Sequence, residues 1–218
     1  MTHHHHDPAA HDADPTWVYS AGYWDERYAG DRVWSGRVNS RLVEQTADLT
    51  PGRALDVACG EGGDAVWLAA QGWETWAVDV SPVAVARTGA HAAERGVAVT
   101  ARVWDGLSGD PLPGAPFDLV TAHFLHLPPQ LRAVVYPRLA DAVGTGGRLL
   151  VVGHHPSDVE TGVRRPHGDG LLLTAADVVG LLDAAAWEVE VADEPTREQL
   201  VDGAAVVVRD TVVRARRR

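Results

Sequence analysis

The chain has 218 residues, 45% of them hydrophobic, which suits one large domain with a sizeable core. Its formal charge of −11, from 19 basic and 30 acidic residues, repels phosphate backbones and argues against nucleic acid as a partner. All 19 basic residues are arginine and Cys59 is the one cysteine, so P-loop, kinase and pyridoxal chemistry (each needing a lysine) and an internal disulfide framework are excluded.

Residues 1–16 (MTHHHHDPAAHDADPT) read as a disordered, His-rich tail. His3 to His6 with His11 could bind a metal, but the plainer reading is a solvated segment, and no metal is expected. No basic-then-apolar signal pattern and no membrane-length apolar run is present, so a cytoplasmic chain with no membrane partner is expected. Residues 17–218 read as a single domain, with residues 17–50 as an aromatic helical cap. Trp17, Tyr19, Tyr23, Trp24, Tyr28 and Trp34 are six of the 14 aromatics. They fit packing against a sheet and a lid over a ligand equally well. Tyr23, Trp24, Arg27 and Tyr28 have helical spacing, and Arg41–Ala47 reads as a second helix.

From Pro51 strands and helices alternate. Ala54–Ala58 is a strand, Asp64–Gln71 a helix and Trp73–Val78 a second strand. Ser81-Pro82 looks like an N-cap with proline at the first helical position, opening a helix to about Arg95. Val97–Trp104 is a third strand, Gly106–Pro116 a loop and Phe117–Ala122 a fourth strand. Pro129–Val143 is a helix and Gly147–Val152 a fifth strand. This alternation predicts a doubly wound parallel sheet. After a loop over Gly153–Gly170, Thr174 and Asp177 imitate a capping box for a helix to about Ala185. Trp187–Ala192 and Ala204–Val213 then read as strands. Their connector, Asp193–Gly203, is too short for a crossover helix, so they should pair antiparallel. The expected fold is α/β, a seven-stranded, mostly parallel sheet closed by a C-terminal antiparallel pair.

The chemistry concentrates after the first strand, in Asp56-Val57-Ala58-Cys59-Gly60-Glu61-Gly62-Gly63-Asp64-Ala65. Gly60, Gly62 and Ala65 satisfy G-x-G-x-x-G/A between a strand and a helix, where glycines allow a tight turn and close approach of a nucleotide. Asp79, 19 residues after Gly60, is spaced to meet ribose hydroxyls. Asp56, Glu61 and Asp64 would repel a pyrophosphate and favour a cationic cofactor such as S-adenosylmethionine, although acidic residues also complement a helix dipole.

These residues resemble the class I S-adenosylmethionine-dependent methyltransferases. Leu55 to Gly62 looks like their first motif, Ala77-Val78-Asp79 their second, Val103-Trp104-Asp105 their third, Phe117 to Phe124 their fourth, and Gly146 to Leu150 the glycine turn into the fifth strand. Trp34, Asn39 and Ala65 to Ala69 are similar to the tellurite-resistance and thiopurine-type members, which implies a small, soft S-, Se- or Te-type acceptor. Gly63-Asp64 replaces their usual Arg-Asn, which counts against tellurite itself. The resemblance implies a cofactor site from Trp24, Tyr28, Trp34 and Asn39, then Asp56, Ala58, Cys59, Gly60 and Gly62, then Asp79 and Val80, then Trp104, Asp105 and Gly106, and finally Ala122 and His123. It implies S-adenosyl-L-methionine as cofactor and a small-molecule methyl acceptor, in a monomer or homodimer.

His123 and His126 follow the fourth strand and are the candidate catalytic residues, able to take a proton near neutral pH or simply to pack. His154 and His155 follow the fifth strand as rim residues. Cys59 reads as a small buried residue and not a nucleophile. An NAD-dependent oxidoreductase and a cofactor-binding protein without turnover remain as alternatives at this stage.

Overall fold

A computed structural model describes residues 16–161, 163, 170–201 and 203–218. The His-rich tail through Pro15 and the loop residues Arg164, Arg165 and His167 lie outside the described residues.

The chain opens with α1 (Ala21–Tyr28) and α2 (Ser40–Thr46), each capped by its own preceding side chain: Ser20 Oγ accepts from Tyr23 N, and Asn39 Oδ1 from Arg41 N. Then come β1 (Arg53–Val57), α3 (Gly63–Ala70), β2 (Glu74–Asp79), α4 (Pro82–Glu94), β3 (Val99–Val103), β4 (Phe117–His123), α5 (Pro129–Asp141) and β5 (Val143–His154). Ser81 caps α4 through Ala84 N, with Pro82 at its first position, as the sequence predicts. The sheet order is β3-β2-β1-β4-β5-β8-β6. β1 to β5 pair in parallel, and the order reverses between β1 and β4, the switch point where ligands of such sheets bind.

The C-terminal third differs from the expectation in three ways. The capping box at Thr174 and Asp177 is real, but α6 (Ala175–Val179) ends well before Ala185, at Gly180. The sheet has eight strands and not seven. β6 (Trp187–Asp193) and β8 (Ala204–Arg217) pair antiparallel, and the connector between them folds into β7 (Thr196–Val201), paired with the first half of β8. Length alone excluded a helix there and said nothing against a hairpin. Thr196 to Val201 alternates in burial, and the following Asp202-Gly203 is a two-residue hairpin signal in the sequence.

Strand parity places the site. Leu55, Val57, Val120 and Ala122 face one core layer, with Tyr136 and Leu139 of α5. Ala54, Leu119, Leu150 and Val152 face the other, with Leu42 of α2 and Leu68 of α3. Side chains alternate along a strand, so Asp56, Thr121, His123 and His154 share the α2–α3 face, polar ends on apolar rows.

Candidate functional site

The chain leaves β1 through a turn in which Ala58, Gly60 and Gly62 have φ of 56°, 53° and 78°. Only glycine adopts that region without strain, so Ala58 is held there at a cost. The turn is tied on both sides. Gly60 N donates to Asp79 Oδ2 and Ser81 N to Asp79 Oδ1, both at 2.9 Å. Thr88 Oγ1 donates to the Gly60 carbonyl at 3.0 Å and lies 3.5 Å from Cys59 Sγ. Cys59 is buried, and desolvation pushes its thiol pKa well up, the inert role expected of it.

The three acidic residues of the turn do different work. Glu61 is buried and spends its carboxylate on the cap, accepting from Val33 N (3.1 Å), Trp34 N (2.8 Å) and the Arg87 guanidinium (2.6 Å). Glu61 is therefore neutralised by Arg87 and is not the free negative charge facing a ligand that the sequence suggests. Asp64 accepts from Asn39 N at 2.7 Å and lies 2.6 Å from His123 Nδ1. Asp56 accepts from Thr121 Oγ1 at 3.1 Å, and its second oxygen, Oδ2, is buried with no partner. Burial, reinforced by the nearby charge of Asp64, pushes the Asp56 pKa up to about 7.

The cap lies directly on this turn. Tyr28 is buried and its hydroxyl accepts from Trp34 Nε1 at 3.0 Å. A Cβ at Gly60 would meet Tyr28 Oη at 3.0 Å and the Trp34 ring at 3.3 Å, and one at Gly63 would meet the Arg37 carbonyl at 2.8 Å. Trp24 stacks on Tyr28 at 5.8 Å, and Arg27 lies over both Trp24 and Trp34. Asp25 bonds Ser81 Oγ and Val83 N, fixing α1 to the start of α4. The anchoring roles of Asp25, Arg87 and Asp64 leave no local signal in the sequence, because their partners are 25 to 59 residues away.

The remaining expected residues fall in two groups. After β3, Trp104 buries its ring beside Leu112 and Val135 with Arg138 over it, and bonds the Asp110 carbonyl at 3.1 Å. Asp105 is exposed and accepts from Leu107 N at 2.8 Å, and the Gly106 carbonyl accepts from Arg138. Val80 continues from Asp79 at the end of β2. After β4, Ala122 is buried and His123 carries a buried Nε2 with no hydrogen-bond partner. Phe124 has a φ of 54°, and its ring lies 4.5 Å from that of His154, which stacks on His126 at 5.0 Å. His155 turns away to Glu194. A surface groove of about 380 Å³ lies at the opposite ends of β2 and β3, between Trp73, Ala92 and Thr100. It holds none of these groups, and strand topology points to the other end. Among the described residues no group of three or more His, Cys, Asp or Glu side chains could hold a metal, and no helix is long and apolar enough to cross a membrane.

The fold is a doubly wound α/β sheet like that of solved methyltransferases, with the antiparallel strand β8 inserted between β5 and β6. Residues 54–147 match the methyltransferase domain family. Three solved structures share the fold. One comes from work on the conversion of a disulfide bond into a thioacetal group during echinomycin biosynthesis (24% identity, TM-score 0.72, covering 94% of this chain and 92% of that one). Another is TehB from Haemophilus influenzae (15%, 0.68, 91% and 67%). The third is magnesium protoporphyrin IX methyltransferase from Synechocystis PCC 6803 with bound SAH (18%, 0.61, 92% and 96%). A probable chloroplastic tocopherol O-methyltransferase of Oryza sativa subsp. japonica is 32% identical over 60% of this chain, which spans 39% of that relative's length.

The residues present fit S-adenosylmethionine. The unpartnered Asp56 oxygen at the switch point suits an ammonium group, and the glycine turn leaves room for close approach.

Proposed function

We propose that this chain methylates a small acceptor, using S-adenosylmethionine as methyl donor. The observation that carries the reading is the buried, unpartnered Asp56 Oδ2 beside the glycine turn. A buried carboxylate oxygen without a partner is costly unless a cation joins it. A dinucleotide pyrophosphate would bring a second negative charge to the same place, which disfavours the oxidoreductase reading.

Asp56 takes the ammonium end, Asp79 the ribose hydroxyls through oxygens that already hold the turn, and Asp105 with Trp104 the adenine side. The backbone of Ala122 and His123 meets the methionyl end, and the cap residues Trp24, Tyr28, Trp34 and Asn39 cover the site. When bound, the cofactor supplies an electrophilic methyl group on a sulfonium. The protein supplies alignment and a dry pocket. His123 and His126 lie on the acceptor side, with Phe124 and His154 as further walls. The tellurite- and thiopurine-type resemblance supports a soft or readily ionised nucleophile.

The test is calorimetric titration with S-adenosylmethionine, S-adenosylhomocysteine and NAD, followed by an assay for S-adenosylhomocysteine formed with a panel of thiols, selenite and hydroxyl compounds. Binding of the first two and turnover of a panel member is the expected result. Tighter binding of NAD overturns the reading, and binding without any turnover leaves a cofactor-binding protein.

A further inference from the structure

Asp64 and His123 form a pair whose geometry goes beyond what strand ends require. Asp64 Oδ2 lies 2.6 Å from His123 Nδ1, while its other oxygen accepts the Asn39 amide at 2.7 Å. The His123 side chain is 5% exposed, and its outer nitrogen, Nε2, is buried with no hydrogen-bond partner. A carboxylate at Nδ1 holds the imidazole in the tautomer that carries its proton there, which leaves Nε2 as a lone-pair acceptor. A buried acceptor with nothing to accept from is an open coordination point for a proton donor.

We propose that Asp64 positions His123 as the general base for an acceptor that enters with a proton to lose, namely a hydroxyl or thiol on an aromatic ring. This rests on the methyl-transfer reading above. Aromatic character follows from the walls, since Phe124, His126 and His154 line up their rings at the ends of β4 and β5. In the reaction the acceptor's proton moves to His123 Nε2. The electron pair it leaves forms the bond to the methyl carbon, and the pair of the broken carbon–sulfur bond stays on the departing, now neutral, thioether. The charged groups facing the ring are Asp64 on α3 and Asp56 on β1, and both stabilise the imidazolium that forms. Asp64 also anchors the chain ahead of α2 through Asn39, so closure of the cap and orientation of the base use the same carboxylate.

Asp64→Asn separates these two tasks. Asparagine keeps an oxygen for Asn39 N but offers an N–H to Nδ1, which drives the proton of His123 to Nε2 and removes the base. Nitrogen-15 spectra of the cofactor-free protein at pH 8, with His123→Gln to assign the signals, should show the Nδ1–H tautomer in the wild type and Nε2–H in Asp64→Asn. An Nε2–H or doubly protonated ring in the wild type overturns the proposal without any assay of methyl transfer. Turnover is then read with phenol and thiophenol. Asp64→Asn should lower kcat with phenol by about 100-fold or more, within the usual range for general-base catalysis, and with the readily ionised thiophenol by less than about fivefold. KM should stay within about threefold for both, since of the acceptor's contacts only the one at Nε2 changes, from accepting to donating. Equal losses for the two acceptors would mean that Asp64 only supports the fold. No turnover of either, in a protein that binds S-adenosylmethionine, overturns the acceptor class.

Discussion

Two chain reversals in this molecule use a glycine in the left-handed region, and they lie at opposite extremes of packing. A methyl group on Gly60 (φ 53°) would lie 3.0 Å from Tyr28 Oη and 3.3 Å from the Trp34 ring, tight enough that the cap must yield, whereas on Gly203 (φ 83°) it would meet nothing within 4 Å. Around Gly60 nearly every polar side chain is buried and bonded to a distant segment. Around Gly203 the β7–β8 hairpin shows Leu200 (76% exposed) and Val207 (58%) to solvent. The same backbone conformation is thus a local matter in the hairpin and a tertiary one at the turn.

The largest expected effect comes from placing alanine at each glycine. Left-handed backbone costs an L-residue about 1–2 kcal/mol, and Gly203→Ala should show that alone, as a drop of a few degrees in Tm with cofactor affinity unchanged. Gly60→Ala adds tight contacts with Tyr28 and Trp34, so its loss of stability should reach about 3 kcal/mol and S-adenosylmethionine binding measured by calorimetry should weaken as well. Equal effects of the two substitutions on binding would erase the contrast.

Asp56 sharpens it through pH. Its folded pKa is raised to about 7, so between the unfolded value near 3.9 and about 7 the native state holds a proton that the unfolded chain has released. That contribution to stability is therefore full below about pH 4 and is lost as pH rises to 7. Asp56→Asn should abolish this part of the pH dependence and raise the Tm of the cofactor-free protein at pH 8. A cationic ligand favours the carboxylate form, so wild-type affinity should strengthen by up to about tenfold from pH 6 to pH 8, one pKa unit being about 1.4 kcal/mol. The variant should bind weakly at both values. Thermal melts and calorimetry across that range decide both points.

Arginines contrast the regions at a lower energy. Arg87→Ala leaves Glu61 buried without its cation and frees the Gly30 and Asp31 carbonyls. A loss of about 2 kcal/mol is expected, below the usual figure for a fully buried pair because Arg87 is partly exposed. Trypsin should also cut faster at Arg32 and Arg37. Arg216→Ala, whose carboxylate partner Glu188 is exposed and 3.7 Å away, should change stability by less than about 0.5 kcal/mol. The smallest effect is a gain, since Ala58→Gly relieves the left-handed strain at φ 56° and should stabilise by about 0.5–1 kcal/mol after glycine's entropy is counted.

The same contrast governs what could be read from sequence. The β1–α3–β2 unit was legible because its signals are local: an apolar strand, a glycine turn, a serine cap with proline, and a spaced Asp79. That Asp56 and Thr121 share a face came only from the structure, which pairs them directly in register. Glu61 and Asp64 were legible as charges but not as anchors, because the amides they hold belong to a segment placed only by tertiary packing. At the other end, β7 had a local signal in Asp202-Gly203, which the short connector length between β6 and β8 does not reveal by itself.

β8 is the spine shared by three partners. Its first half, Ala204–Arg209, carries β7, and its second half carries β5 and β6. Side-chain direction repeats every two residues along a strand. Descendants of this chain can therefore lengthen or trim the hairpin by residue pairs, one on each arm, while the register against β5 stays where it is. The hairpin, which extends past the β5 end where His154 pairs with Asp210, is a place where sequence can drift and new surface can be added.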